Sequence, residues 1–392
     1  MAVEVHFWRM CFSGIFVLLK YRKPNPLYEE LKFALALTQI PGVGSTIGKK
    51  LIKHFGSAQA VFEADKNTFL LLEGTAKNLF EPIHAFNDFD LINRELDWIE
   101  KNEVDFYVFG DDRYPKRLKH TPDSPIALFS KGNFDLNHTK TIGIVGTRNA
   151  TNYGKSFVNE LVKDLVPHNP AIISGLAYGI DISAHKAALE FNLPTVAVVA
   201  HGLDRVYPSH HKGTATRLQE NGAMVTEFPS NTNPDRENFP KRNRIIAGLC
   251  DAVILVESKK KGGAIITADI ANSYNRDVFA VPGRVGDETS EGCNALIKNN
   301  RAALLQSVAD IEYIMGWEKE SKKQRPKQVE MFIDLTEDEE IILSLLREKE
   351  KLSIDQMCMD LNVSTSKIMS PLLNLELSGL VLSLPGKVYQ LA

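Results

Sequence analysis

"TIGIVGTRNATNYGKS", residues 141–156, decides the fold. A continuous apolar run of strand length meets a glycine, then hydroxyls and one guanidinium, then a helical pattern. The unit recurs. "AIISGLA" (171–177), "TVAVVAHG" (195–202), "AMVTEFP" (223–229), "AVILVES" (252–258), "DVFAVPG" (277–283) and "AALLQS" (302–307) follow, with helical stretches between most of them. Apolar strands without polar alternation, separated by helices, predict a parallel sheet covered on both faces. Ligands of such sheets lie beyond the carboxyl ends of the strands, where the strand order reverses. The fold class expected is therefore α/β, with an extended Rossmann-like parallel sheet as its core.

The glycine turns exclude two familiar cofactors. The first lacks the GxGxxG dinucleotide fingerprint, Arg148 standing where a pyrophosphate needs glycine, and no acidic ribose partner ends the second strand. "GKS" (154–156) is no P-loop, because Asn149 occupies the position of the required earlier glycine. What remains is a set of anion-binding mouths. Gly146, Thr147 and Arg148 offer amides, a hydroxyl and a guanidinium at a helix entrance. Ser174, Gly175 and Gly179 make a second amide-rich mouth, and Gly263 with Thr267 a third, approached by Lys259–Lys261. Asp181 and His185, four apart on a helix, read either as an acid–base pair or as a dipole partner hydrogen-bonded to a histidine. The latter is preferred. His201, His210 and His211 have no metal-binding spacing, so no metal is assigned.

"NFPKRNRIIAGL" (238–249) carries the densest charge. Pro240 suits a first helical turn, which puts Lys241, Arg242, Asn243 and Arg244 at the positive end of a helix. Cations there oppose the helix dipole by about 0.3–1 kcal/mol each, a penalty that an anion reverses. Several such mouths along one sheet edge suit a polymeric polyanion better than one nucleotide. The whole chain of 392 residues gives no general attraction, with 46 Lys+Arg against 49 Asp+Glu and a net charge of −3. Recognition must be local.

Around this core, four further segments are expected. Residues 1–26 contain "WRMCFSGIFVLLKYRK", too short an apolar run to span a bilayer and without a cleavage site, and read as a disordered extension. Residues 27–104 form an all-α domain in which "IPGVGS" is the turn of a helix-hairpin-helix, Ser45 capping its second helix. Gly42, Gly44 and Lys49 are its candidate phosphate contacts. After the core, residues 105–316, a polar linker (317–333) leads to residues 334–392, read as three helices and a hairpin with Pro385-Gly386 at its tip, a winged helix. Pro371 should bend or shorten the third helix. This tail holds 10 Asp+Glu and 5 Lys+Arg, so it reads as a protein-contact module rather than a duplex reader. The four cysteines, Cys11, Cys250, Cys293 and Cys358, lack a CxxC pair and suit a reducing cytoplasm.

Taken in order, "YPKRLKHTPDSPIALFSKGN", "GTRNATNYG", "SGLAYGIDISAHKAAL", "GLDRVYP", "FPKRNRIIAGL", "TADIANSYNRDVFAVPG" and "GCNALIKNN" resemble DNA-processing protein A, the DprA/Smf family. The likeness covers about Asp105 to Gln306. It implies a non-enzymatic, cytoplasmic, dimeric protein that binds single-stranded DNA, protects incoming DNA in natural transformation and helps load the RecA recombinase. It further implies that Gly146, Arg148, Ser174, Gly175, Phe239, Lys241, Arg242, Asn243 and Arg244 line the DNA pocket. Phe239 becomes a platform for a base. Ser124, Gly262 and "TEFP" (226–229) depart from the family pattern at turns. The alternative is a nucleoside monophosphate-cleaving enzyme of the lysine-decarboxylase-like group, with Asp181, Glu227 or Asp269 as general acid or base.

Overall fold

A computed structural model describes residues 26–72, 74–317, 335–349, 351–384 and 387–391. The expected extension up to its last residue, nearly all of the linker and the Pro385-Gly386 tip lie outside the described residues. The chain divides into two units, residues 1–319 and 320–392.

All seven apolar runs form strands. In the first unit these are β3 (Thr141–Val145), β4 (Ala171–Ser174), β5 (Thr195–Val198), β6 (Gly222–Thr226), β7 (Ala252–Leu255), β8 (Asp277–Ala280) and β9 (Ala303–Leu304). Two strands that the sequence reading did not identify, β1 (Asp105–Val108) and β2 (Ala127–Gly132), precede them. The sheet order is β1-β2-β6-β5-β4-β3-β7-β8-β9. From β6 to β9 every pair is parallel, whereas β2 joins β6 and β1 joins β2 antiparallel. The chain thus begins its parallel sheet at the centre with β3. It lays β4, β5 and β6 to one side and returns with β7, β8 and β9 on the other. The reversal between β3 and β7 is the switch point.

The central strands carry apolar side chains on both faces. Successive side chains alternate across a strand. Ile142 and Ile144 of β3 and Ala252 and Ile254 of β7 accordingly pack into one core, and Val145, Val253 and Leu255 into the other. Helices Asn152–Asp164 and Ile180–Glu190 bury Val158, Leu161, Ala184 and Ala188 in the first of these cores. Arg117, in the basic "YPKRLKH" stretch, grips Asp251 with two N–H groups, Nε at 2.5 Å and Nη2 at 2.9 Å. Asp251 also accepts from Thr141 N at 2.8 Å. That fork ties the segment before β2 to the starts of β3 and β7.

The N-terminal helices of this unit, Pro26–Gln39 and Ser45–Phe55 foremost, do flank a turn at Gly42, whose φ of 88° suits glycine. Two details correct the sequence reading. Gly44, not Ser45, is the N-cap, and the Ser45 hydroxyl instead accepts from Arg244 Nη2 at 3.4 Å. Lys49 is only 7% exposed and donates to Thr121 O at 2.8 Å and Ser124 Oγ at 2.9 Å. Beside it, a Cβ on Gly48 would come within 2.2 Å of Ile126. This face of the second helix packs on the segment that leads into β2, so the Lys49 ammonium is held inside the chain rather than presented to solvent.

The second unit has helices Glu337–Lys349, Ile354–Leu361 and Thr365–Leu377, with a sheet of β10 (Lys351–Ser353), β11 (Val381–Leu384) and β12 (Val388–Leu391). The strand order β10-β12-β11, all antiparallel, is that of a winged helix. Leu346, Met357, Leu372 and Leu375 fill its core. The third helix runs on through Pro371 for 13 residues. Among the described residues, no helix is long and apolar enough to cross a membrane.

Candidate functional site

The turn after β3 is fixed by its backbone. Thr147 N donates to Glu257 O at 2.7 Å, at the end of β7, and Thr147 O accepts from Ile180 N at 3.2 Å. Gly179, at φ 77°, lies so close that a Cβ there would sit 2.2 Å from Thr147 O. Glycine at this position lets the turns after β3 and β4 touch. The contact leaves Arg148 projecting outward, exposed and without an ion pair among the described residues.

Arg148 enters a crevice of about 720 Å³ at the switch point, where β3 and β7 end. Its Cζ stands 5.0 Å from the centroid of the Phe239 ring. Phe239 comes from the helix Asn238–Leu249, and the Tyr207 ring meets it edge-on at 6.3 Å. Gly146, Thr147, Asn243, Gly263 and Thr267 also line this space, so the first and third predicted mouths and part of the charged helix open into one crevice. Thr267 is nearly buried there. Lys259 and Lys261, read from the sequence as the approach to the third mouth, line it too, as do Tyr207 and Arg236, which were not among the predicted contacts. "GLDRVYP" was a visible signal for Tyr207. Arg236 had none, because only the fold brings the loop before Phe239 back to the crevice.

The charged helix does not act as a single patch. Lys241 is exposed but lies outside the crevice lining. Arg242 is 4% exposed and turns inward, its Nη1 donating to Gly175 O and Val198 O at 2.6 Å each. Burial pushes its pKa down to about 10, and the nearby Asp181 charge opposes that shift. Its Cζ lies 5.8 Å from the Phe239 centroid, so Arg242 lines the crevice while its Nη1 is held by the two carbonyls. Arg244 turns away, pairing with Glu227 and donating to Asp123 O. At 100° per residue, positions 242 and 244 are about 200° apart and cannot share a face. The reading of Arg242 and Arg244 as free phosphate ligands is corrected by this geometry.

The second mouth is likewise a support. Ser174 is fully buried and donates to Ile144 O at 2.6 Å. A Cβ on Gly175 would meet Arg242 Nη1 at 2.2 Å, and its N–H donates to Asp181 Oδ2 at 3.2 Å. Burial raises the Asp181 pKa, while Arg242 and the hydrogen bonds pull it back. Asp181 and His185 do not pair in either expected way. His185 Nδ1 donates to Thr195 Oγ1 at 2.7 Å, which donates onward to Ile172 O, and burial pushes the ring down to about 3, leaving it neutral. The other enzymatic candidates are engaged: Glu227 with Arg244, and Asp269 with Arg301 at the surface. His201 and His211 hold loops through Gly202 O and Leu176 O. Among the described residues, no cluster of His, Cys, Asp or Glu is placed to hold a metal.

The family model described as DNA recombination-mediator protein A matches residues 105–315, and that of the DprA winged helix domain matches residues 332–387. The Smf protein of Synechocystis sp. is 30% identical over 92% of this chain and 99% of its own. The DNA processing protein DprA of Streptococcus pneumoniae is 40% identical over 51% of this chain and 71% of its own. A crystal structure of S. pneumoniae DprA superposes with a TM-score of 0.62 at 30% identity, covering 72% of this chain and 97% of that one. DprA of Helicobacter pylori, whose structure is described for its single-stranded DNA binding mode, gives 0.50 at 26% identity over 55% and 96% of the two chains. The match to the family spans the whole switch-point crevice and the tail, and the chain belongs to the DNA recombination-mediator protein A (DprA/Smf) family.

Proposed function

We propose that this chain binds single-stranded DNA in the switch-point crevice. The observation that carries the reading is Arg148, an exposed guanidinium stacked on Phe239 and lacking an ion pair among the described residues, in a space rimmed by Arg236, Lys259 and Lys261. An aromatic ring beside an exposed guanidinium with no carboxylate partner among the described residues is the pairing that base stacking and phosphate binding require. Arg148 takes one phosphate beside the Gly146–Thr147 turn, whose Thr147 amide is already held by Glu257 O, and the Gly263 helix entrance takes another. Of the two guanidiniums near the ring, the exposed Arg148 is the one that can yield. Its movement onto a phosphate frees the ring for a base. Gly175 and Ser174 act beneath the crevice, and Arg242 forms part of its lining.

On this reading the protein is a non-enzymatic homodimer in the cytoplasm that protects incoming DNA in natural transformation and helps RecA onto it. The family relationship supports the DNA-processing role, and the Helicobacter relative is itself described as binding single-stranded DNA. Gly42 and Gly44 remain exposed and available as a weak secondary contact, without Lys49. Anisotropy titration of labelled oligothymidylate with Arg148→Ala and wild type tests the pocket. Loss of about tenfold or more in affinity with an unchanged melting temperature is expected. Equal affinity removes the crevice as the site.

A further inference from the structure

A second cavity, of about 650 Å³, lies at the carboxyl ends of β3, β7 and β8, next to the crevice. Glu257 lines this cavity and is tied through its backbone to the first turn of the crevice. Its carbonyl holds the Thr147 turn, while its carboxylate, 2% exposed, accepts from Thr151 N at 2.9 Å and from the Thr151 hydroxyl. The carboxylate already occupies the anion position at the entrance of helix Asn152–Asp164, and Asp287 faces the same cavity. A phosphate would be repelled there. A neutral, flat group rich in N–H donors would not.

Tyr153 supplies the platform. It is 53% exposed, yet its hydroxyl is pinned to Pro282 O at 3.1 Å, and its ring lies against Phe157 at 6.3 Å. The ring is therefore held open to solvent in one orientation, at little further entropic cost to a ligand. Arg284, exposed at the rim and without an ion pair among the described residues, supplies a cation.

We infer that this cavity is a second nucleobase subsite, for a nucleotide neighbouring the one at Phe239. Tyr153 stacks the base, Asp287 accepts its N–H groups, and Arg284 meets the backbone phosphate. The acceptor-rich lining favours bases with an exocyclic amino group over thymine. This rests on the single-strand reading of the crevice.

The test uses the full chain and an oligothymidylate of about 12 nucleotides carrying 5-iodouracil, photo-cross-linked and digested with trypsin. Cross-links are expected in two peptides, Glu237–Lys241 with Phe239 and Asn149–Lys155 with Tyr153. Tyr153→Leu should weaken binding about tenfold and abolish the second cross-link, and Arg284→Ala should weaken binding less. An amino-bearing base placed opposite the cavity should bind the wild type more tightly than thymine, and the Asp287→Asn variant less selectively. Cross-links confined to the Phe239 peptide, with Tyr153→Leu binding like wild type, would overturn the subsite and leave the crevice reading intact. No cross-link in either peptide, together with Arg148→Ala binding like wild type, would defeat both.

Discussion

Replacing Arg242 by Met separates the support of the crevice from its contacts. The guanidinium is buried, gives two hydrogen bonds of 2.6 Å to Gly175 O and Val198 O, and offsets the buried Asp181 charge. Met roughly matches the stem but leaves both carbonyls without this donor and Asp181 without its cation. Breaking one half of a buried charged arrangement costs about 3–5 kcal/mol. At about 2–4 °C per kcal/mol for a domain of this size, the melting temperature should fall by roughly 6–20 °C. The deficit also has a pH signature. The native Asp181 pKa is already raised, so the folded state holds that proton more tightly than the unfolded one, and stability from this group falls as pH rises. Without Arg242 the pKa rises further. The variant's deficit should therefore be larger at about pH 8 than at about pH 5, and Asp181→Asn in the same chain should recover part of it. Differential scanning calorimetry at both pH values reads all three. A melting temperature within about 2 °C of wild type, or a deficit independent of pH, would refute the role given to Arg242.

The other perturbations sort by the same geometry. Phe239→Leu should weaken single-strand binding by about 1–3 kcal/mol in an anisotropy titration while leaving the salt dependence unchanged. Lys49→Met should lower stability by about 1–3 kcal/mol in urea unfolding yet leave oligonucleotide affinity within about twofold, since Thr121 O and Ser124 Oγ lose a donor and no DNA contact is lost. Because burial lowers the Lys49 pKa to about 8 from 10.5, wild-type stability should gain a contribution as pH rises between those values, and that contribution should vanish in the Met variant. Gly179→Ala, forcing a Cβ against Thr147 O at φ 77°, should cost about 1–3 kcal/mol and weaken binding by displacing the Arg148 turn. A chain ending at residue 319 should keep its single-strand affinity within about threefold, measured on the same oligonucleotides.

The core was legible because its physics is one-dimensional. Seven apolar runs of strand length, each leading into glycine and hydroxyl residues, allow little besides a covered parallel sheet, and the chemistry collects at its switch point as such sheets require. β1 and β2 were not legible, because neither leads into a long helix as the parallel strands do, and both pair antiparallel across a connection too long for a tight hairpin signal. Within the site, Gly146, Arg148 and Phe239 could be placed from sequence, but the basic residues around Asn243 were read by their number rather than their angles. Helical geometry alone sends Arg242 and Arg244 in different directions, and that much was available beforehand. Their partners, Gly175 and Val198 on one side and Glu227 and Asp123 on the other, required the fold. Lys49 failed for a related reason. A lysine in a glycine-rich helical hairpin carries no mark of whether that face meets DNA or the sheet beside it.

The central claim is that one local crevice, in a chain of net charge −3, binds single-stranded DNA through phosphates and a stacked base. Anisotropy titration of matched single-stranded and duplex oligonucleotides across a salt series tests it most directly. Preference for the single strand is expected, with a log–log salt slope of about −0.7 for each phosphate neutralised and with Arg148→Ala lowering affinity and flattening the slope. Duplex binding as tight as single-strand binding, or single-strand affinity indifferent to salt and to Arg148, would contradict it.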